Sequence, residues 1–295
     1  MRARGEGAPF DRILLIYNPS GRAPALLAGQ LRAELGTRLP DTPLSLRPTA
    51  FPGHGRALAA AEGGRPLLVS ISGDGGYNDV VNGAMDAGGQ AVCAVMGAGN
   101  ANDHRRSTRT LPITDAIVRG DVRRIDLLRL TVGEGPDQWS RYAHSYVGFG
   151  LTPLMAIGIE AGVKGRFTEL LSVARALRGL TPLEITRADG ARAVLDSLIL
   201  ANITRMAKYG RISAAGFPDD GMFEVVLLPH GAKWRIALMA LQAVTVGLGI
   251  QASVPSYRFT STDPIPLQID GEVMTVGAGT PVLVESRRQT LATLG

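Results

Sequence analysis

Along the first 126 positions, apolar residues follow two alternating rhythms. Solid apolar runs at Ile13 to Tyr17, Pro66 to Ser72 and Ala91 to Met96 predict strands buried on both faces. Between them Leu27, Leu31 and Leu35 recur every four residues, the repeat of a helix buried along one stripe. Leu44 to Arg47 reads as a further strand, and Gly55 to Glu62 and Asn78 to Ala87 as helices. Strands alternating with helices predict a parallel sheet covered on both faces. Such sheets take ligands at the carboxyl ends of their strands. Three turns fall at those ends: Asn18-Pro19-Ser20-Gly21, Gly73-Asp74-Gly75-Gly76 and Gly97-Ala98-Gly99-Asn100.

The pattern changes near Asp126. IDLLRLTV, RYAHSYVGF, PLEITRA, VLDSLILANI, MFEVVLL and PIPLQID follow, separated by turn residues, which predicts an antiparallel β domain with a few inserted helices. Val163 to Leu177 is one such helix. Ile236 to Ile250 is the most apolar run, yet it is shorter than the roughly 20 residues that span a bilayer. Trp234 to Ile250, introduced by Lys233 and Arg235, reads either as a buried helix or as one that docks on a membrane interface.

Composition narrows the picture slightly. The chain has 295 residues, 45% hydrophobic and only 5% aromatic, so aliphatic side chains and alanine fill its core. The net charge is +5 and the pI about 9.7, almost all from arginine. That balance suits phosphates, nucleotides or an anionic membrane without choosing among them. No zinc-finger spacing and no basic run interleaved with aromatics appears, so nucleic acid is not an expected partner. The single cysteine, Cys93, lies in an apolar run and reads as a core thiol. The N-terminal stretch MRARGEGAPFDR lacks a signal peptide's apolar segment, which predicts a cytoplasmic protein, peripheral on the inner face of the membrane if it meets lipid.

Four strings carry candidate chemistry. In Ser72-Gly73-Asp74-Gly75-Gly76-Tyr77-Asn78-Asp79-Val80-Val81-Asn82-Gly83, glycines around an aspartate let the backbone approach a ligand, and the following helix offers its N-terminus to anionic oxygens. The bland reading is a tight turn with a helix cap. Gly97 to Asp103 follows a neighbouring strand, where Asn102 and Asp103 offer polar groups to a ribose, an adenine or a metal-linked water. Asp270-Gly271-Glu272 places two carboxylates around one glycine, suited to a base and a magnesium-linked acid; on spacing alone it is a hairpin turn. Pro218-Asp219-Asp220-Gly221-Met222 offers oxygens to a hard cation, or forms a solvated turn. His104-Arg105-Arg106, with Arg109 nearby, suits phosphates or a solvated helix face. No P-loop lysine and no HRD or DFG string is present.

In order, these strings resemble the diacylglycerol kinase catalytic family, which includes bacterial lipid kinases, sphingosine kinases and ceramide kinases. The resemblance runs from Asn18-Pro19-Ser20-Gly21 through SGDGGYNDVVNG, GAGNANDHRR and Asp219 to Val226, ending at Gln268 to Glu272. It implies an α/β fold in two domains: a Rossmann-like parallel α/β domain over 1–126 that binds ATP, and an antiparallel β-sandwich-like domain over 127–281 that takes the lipid. Residues 282–295 would return to the first domain, and the active site would lie in the cleft. It further implies ATP and Mg²⁺ as cofactors and a lipid alcohol as acceptor. Asn18, Gly73, Gly75, Gly76, Gly99, Asn100, Asn102 and Asp103 would hold the nucleotide, and Asp74 would position it with Mg²⁺. Asp270 would be the base, a role that sphingosine kinases give to the position of Asp74, and Glu272 would support the metal. Asp220, with carbonyls near Phe217 and Met222, would hold a structural Mg²⁺.

The sequence departs from the family where a threonine hydroxyl is expected at the phosphates: Gly76 stands there, and Gly97 and Asn100 replace Pro and Thr in the second loop. His104 replaces a common Phe, and Asp79 a common Glu. These changes favour, as an alternative, a homologue that binds nucleotide or lipid without catalysis. An NAD kinase, which shares a GGDG motif, is a further alternative, opposed by the second half of the chain and by Asp270-Gly271-Glu272.

Overall fold

The computed structural model describes residues 10–99, 102–150, 181–206, 210, 211, 213 and 216–294. Asn100 and the expected helix at Val163 to Leu177 lie outside them. The chain forms two compact units, Met1–Asp126 with Gln289–Gly295, and Leu127–Arg288.

The first unit is built on strands β1 (Ile13–Tyr17), β2 (Leu44–Pro48), β3 (Leu67–Ser72) and β4 (Val92–Gly97) and helices α1 (Arg22–Arg38), α2 (His54–Ala60), α3 (Asp74–Asp86), α4 (Asp103–Thr108) and α5 (Ile113–Arg119). The strands run parallel in the order β2-β1-β3-β4. The end of the last strand joins β4, with Ala292 beside Val92 and Thr293 beside Cys93. The return thus begins at Gln289 rather than at Val282. Alternate strand residues point to opposite faces. Ile13, Leu15, Leu67, Val69, Ile71, Val92 and Ala94 meet Ala28, Leu31 and Leu35 of α1 and Ile113, Ala116 and Ile117 of α5. Helix α3 packs on β3 and β4, with α2 beside it. Here Gly83 is required by space: a Cβ would collide with the Arg56 carbonyl and the Ala59 side chain. Arg56 clasps Asp86 through two hydrogen bonds of 2.6 and 3.1 Å. The second half of the SGDGGYNDVVNG string is therefore a helix-packing device. Cys93 is buried, and burial pushes its thiol up to about 12.

The second unit is antiparallel. Its elements are β5 (Val122–Val132), which enters from the first unit, β6 (Trp139–Ala143), β7 (Tyr146–Gly150), β8 (Leu183–Arg187), β9 (Arg192–Ala201), β10 (Arg205–Met206) and β11 (Gly210–Arg211). After these come β12 (Phe223–Pro229), helix α6 (Lys233–Thr245), β13 (Ala252–Val254), β14 (Ser256–Ser261), β15 (Ile265–Ile269), β16 (Glu272–Val276) and β17 (Pro281–Leu294). The long β9 is central, pairing with β7, β8 and β12, while β15 joins β7 to β16. Inward residues of these strands, among them Leu130, Phe149, Leu198, Phe223, Phe259, Leu267 and Val282, form one core. Phe149 and Phe259 meet edge to face at 5.0 Å, a favoured aromatic geometry. An antiparallel sheet with one dry face is what the alternating second half of the sequence predicts.

Candidate functional site

In the first unit, three strand ends lie side by side because β1, β3 and β4 are parallel neighbours. After β1, Asn18 Oδ1 accepts the Ser20 amide at 2.9 Å, closing a small turn. After β3 the chain passes through Gly73 directly into α3, whose first turn holds Asp74 and whose N-terminus has no side-chain cap. The leading amides of that helix carry the positive end of its dipole. After β4 the second turn folds against the first. The Ala98 amide donates to the Ser72 carbonyl at 2.9 Å. A Cβ at Gly99 would lie 2.6 Å from the Gly73 Cα, so the two turns touch through bare backbone. The structure places Asn18, Gly73, Asp74, Gly75, Gly76 and Gly99 at these neighbouring strand ends and leaves Asp74 half-buried.

Asn102 has a different task. Its Nδ2 donates to the Gly99 carbonyl at 2.8 Å, its Oδ1 accepts the Gly99 amide at 3.4 Å, and its φ is 53°. Its amide group closes the second turn on itself and covers Gly97, where a Cβ would meet it at 2.6 Å. Asp103 is buried in the first turn of α4. The basic cluster divides: Arg105 and Arg106 are exposed, whereas His104 is buried with its ring 4.7 Å from that of Tyr77. Arg109 is buried too, donating to the Val95 carbonyl at 2.9 Å, and desolvation, with help from Arg105, lowers its pKa to about 10.

Ser72 stands at the same edge, at the end of β3. A Cβ at Gly76 would stand 2.7 Å from both Cβ and Oγ of Ser72. The serine side chain therefore fills the space where a side chain at position 76 would begin. Its hydroxyl lies 2.7 Å from the Ser70 hydroxyl and donates to the Gly73 carbonyl at 2.9 Å.

In the second unit, Asp270-Gly271 is a two-residue hairpin turn between β15 and β16, with Ile269 opposite Glu272. Positive φ at both positions, 46° and 98°, is the type I′ geometry that an Asp-Gly pair supplies. The Asp270 carboxylate is fully buried. Its Oδ2 accepts the His144 amide at 2.7 Å and lies 3.3 Å from His144 Nε2. Its Oδ1 accepts the amides of Ser145 at 3.0 Å and Tyr146 at 2.9 Å. A carboxylate has about four lone-pair positions, and three backbone N–H donors and one imidazole nitrogen face these two oxygens. His144 Nδ1 lies 2.7 Å from the Ser145 hydroxyl. The Ser145–His144–Asp270 string has the connectivity of a nucleophile, a base and an orienting acid, yet all three are buried. It locks the segment between β6 and β7 onto the hairpin. Glu272 is instead half-exposed and receives Arg141 Nη2 at 2.5 Å.

The Pro218–Met222 turn is local as well. Asp220 Oδ1 accepts the Met222 amide at 2.9 Å, Gly221 has a φ of 83°, and Phe217 is exposed. Among the described residues, no group of three or more His, Cys, Asp or Glu is placed to hold a metal ion. One carboxylate the motifs did not flag lies beside this turn. Glu224 is buried on β12, and burial together with the charge of Asp220 raises its pKa to about 6. Its oxygens lie 2.5 and 2.8 Å from where a Cβ on Gly216 would stand, so the carboxylate fits over bare backbone. An open cavity of about 490 Å³ is lined by Val132, Trp139, Val276 and Pro281. It sits at the far end of β16 from the Asp270-Gly271 turn.

The first unit is thus a doubly wound α/β unit whose polar groups gather at the carboxyl edge of its sheet, and in sequence it is similar to a kinase domain. Residues 12–130 match the diacylglycerol kinase catalytic domain. A diacylglycerol kinase of Bacillus subtilis (strain 168) is 22% identical over 222 residues, covering 70% of this chain and 71% of the relative. The crystal structure of a diacylglycerol kinase from Bacillus anthracis str. Sterne aligns over 97% of each chain at 16% identity, with a TM-score of 0.69. A second solved structure from that organism covers 100% of this chain and 98% of its own, at 14% identity and a TM-score of 0.73. The solved structures share the fold, and the match over residues 12–130 supports a kinase in general. No helix among the described residues is long and apolar enough to cross a membrane.

Proposed function

We propose that the chain is an ATP-dependent kinase that transfers the γ-phosphoryl group to the hydroxyl of a lipid alcohol. The reading is carried by one observation: the Gly73 and Gly99 turns meet through bare backbone in front of the uncapped N-terminus of α3, with Asp74 in its first turn. Backbone amides and a helix dipole converging on a glycine-lined edge favour an anionic ligand such as a triphosphate. Phosphoryl transfer needs alignment, charge neutralisation and removal of the acceptor proton.

The residues divide as follows. Asn18, Gly73, Gly75, Gly76 and Gly99 shape the phosphate edge. Asn102 and Asp103 hold the second turn in place. The Ser72 hydroxyl supplies the polar group that a threonine at position 76 would have brought. Asp74 removes the acceptor proton, because Asp270, the other candidate, has its oxygens occupied by donors and no exposure to a substrate. Asp270 positions the hairpin that presents Glu272, which pairs with Arg141. Mg²⁺, when bound, neutralises the phosphate oxygens. A second, structural Mg²⁺ fits Asp220 with the carbonyls near Phe217 and Met222, and Glu224 offers it a further anionic oxygen.

The test is γ-phosphate-labelled ATP with a panel of diacylglycerol, monoacylglycerol, sphingosine, ceramide and phosphatidylglycerol, with and without Mg²⁺. Mg²⁺-dependent labelling of one lipid is expected. Saturable ATP binding without labelling of any lipid would overturn the catalytic reading in favour of a binding protein.

A further inference from the structure

The geometry points to α6 and the turn after it as the surface by which this protein docks on an anionic lipid bilayer. The inference deepens the lipid-kinase reading, since it names where the proposed enzyme meets the phase that holds its acceptor. Helix α6 has two apolar faces. One is spent on the fold: Ile236 is buried, and Met239 and Leu248 pack on Tyr146, Ile199, Ala201 and Val226. The other faces water. Trp234 is 63% exposed and Leu238, one turn on, 54%; in the following turn Val246 is 74% and Ile250 81% exposed. These four are among the most exposed large hydrophobic side chains of the described residues, and they lie within one stretch of chain. A helix that presents large apolar groups on its solvent side has an unpartnered face.

Charge selects the occupant. No acidic residue occurs from Gly231 to Val254, whereas Lys233 and Arg235 stand at the start of the helix. The Arg235 guanidinium lies 5.6 Å from the centre of the Trp234 ring. An exposed tryptophan flanked by cations, followed by aliphatic residues, is the arrangement that settles at the boundary between headgroups and acyl chains. A protein partner would be expected to carry complementary carboxylates; a bilayer rich in phosphatidylglycerol presents the same negative charge together with an apolar interior.

The test uses the full chain with vesicles of phosphatidylcholine alone or mixed with phosphatidylglycerol. A Trp139→Phe background leaves Trp234 as the only tryptophan. On anionic vesicles its emission should shift to the blue and be quenched by lipids carrying a quencher in the acyl chain. Leu238→Glu combined with Val246→Glu should weaken vesicle binding by about tenfold or more, and its melting temperature should match the parent because both sites are exposed. Unaltered vesicle binding in that variant, or no spectral response of Trp234, would overturn the inference. So would a dimer in light scattering that the double variant splits, since the face would then belong to a second copy. Phosphorylation of a water-soluble short-chain diacylglycerol, measured in parallel, separates the two readings. Vesicle binding through α6 without transfer to any acceptor leaves the surface standing and removes the kinase. Transfer with vesicle binding indifferent to α6 does the reverse.

Discussion

Two aspartates stand beside glycine at strand ends, and the two units use them in opposite ways. Asp74 opens a helix in the parallel unit. Its neighbours are glycines packed backbone to backbone, and its carboxylate stays half-buried at the sheet edge. Asp270 closes a hairpin in the antiparallel unit and is buried under the amides of residues 144 to 146. A parallel strand must leave the sheet at its carboxyl end, so its polar groups collect where a ligand can reach them. A two-residue hairpin turns straight back into the sheet, and an aspartate there is drawn onto the nearest unpaired amides. The same residue type opens a helix at a sheet edge in one unit and closes a buried hairpin in the other.

That contrast breaks most sharply under substitution by asparagine. Asp74→Asn should lower turnover by about 10²–10⁴-fold, the usual range for losing a general base, with melting temperature unchanged. Asp270→Asn should do the reverse. Replacing a charged acceptor by an amide puts an N–H₂ against backbone N–H donors, and the loss should be about 2–4 kcal/mol of stability. Chemical denaturation would show it, while the folded fraction retains turnover. Loss of turnover in Asp270→Asn without loss of stability would return the base role to Asp270.

The next effect concerns the contact between the two glycine turns. Gly99→Ala drives a methyl group against the Gly73 backbone at 2.6 Å, where no side chain can move aside. Overpacking of this kind costs about 1–3 kcal/mol, and here it should also separate the phosphate edge. Isothermal calorimetry should show weaker ATP binding, whereas Gly36→Ala, where a Cβ meets nothing, should bind as the parent does.

How far these features could be read in advance depends on the physics that fixes each. The parallel unit was legible because a strand buried on both faces writes itself as a solid apolar run, as in Pro66 to Ser72 and Ala91 to Met96. The turns followed from glycine. What pattern could not reveal was how side chains share space. Asn102 reads as a ligand until its amide is seen closing on Gly99. His104 reads as part of a basic cluster until it is found buried against Tyr77. The amides that occupy Asp270 come from a segment more than 120 residues earlier, a partnership no local spacing encodes. Glu224 escaped notice because its raised pKa arises from burial on β12 rather than from a motif.

The smallest expected effect sharpens the account of the first unit. Gly76 looks like a lost hydroxyl only if position 76 is considered alone. In the fold, the Ser72 side chain already occupies that volume, its Oγ 2.7 Å from where a Cβ would be. Gly76→Thr by itself should therefore clash with Ser72 and destabilise the start of α3. Ser72→Gly by itself should empty that space of the serine side chain and weaken ATP binding. The double variant, Ser72→Gly with Gly76→Thr, moves the hydroxyl from one position to the other and should recover most of both losses, leaving a residual of about 0.5–1 kcal/mol or less in coupled terms. A double-mutant cycle on ATP affinity and on unfolding would measure this directly. Additive losses would mean that the two positions do not share one hydroxyl, and that the serine serves only its bonds to Ser70 and Gly73.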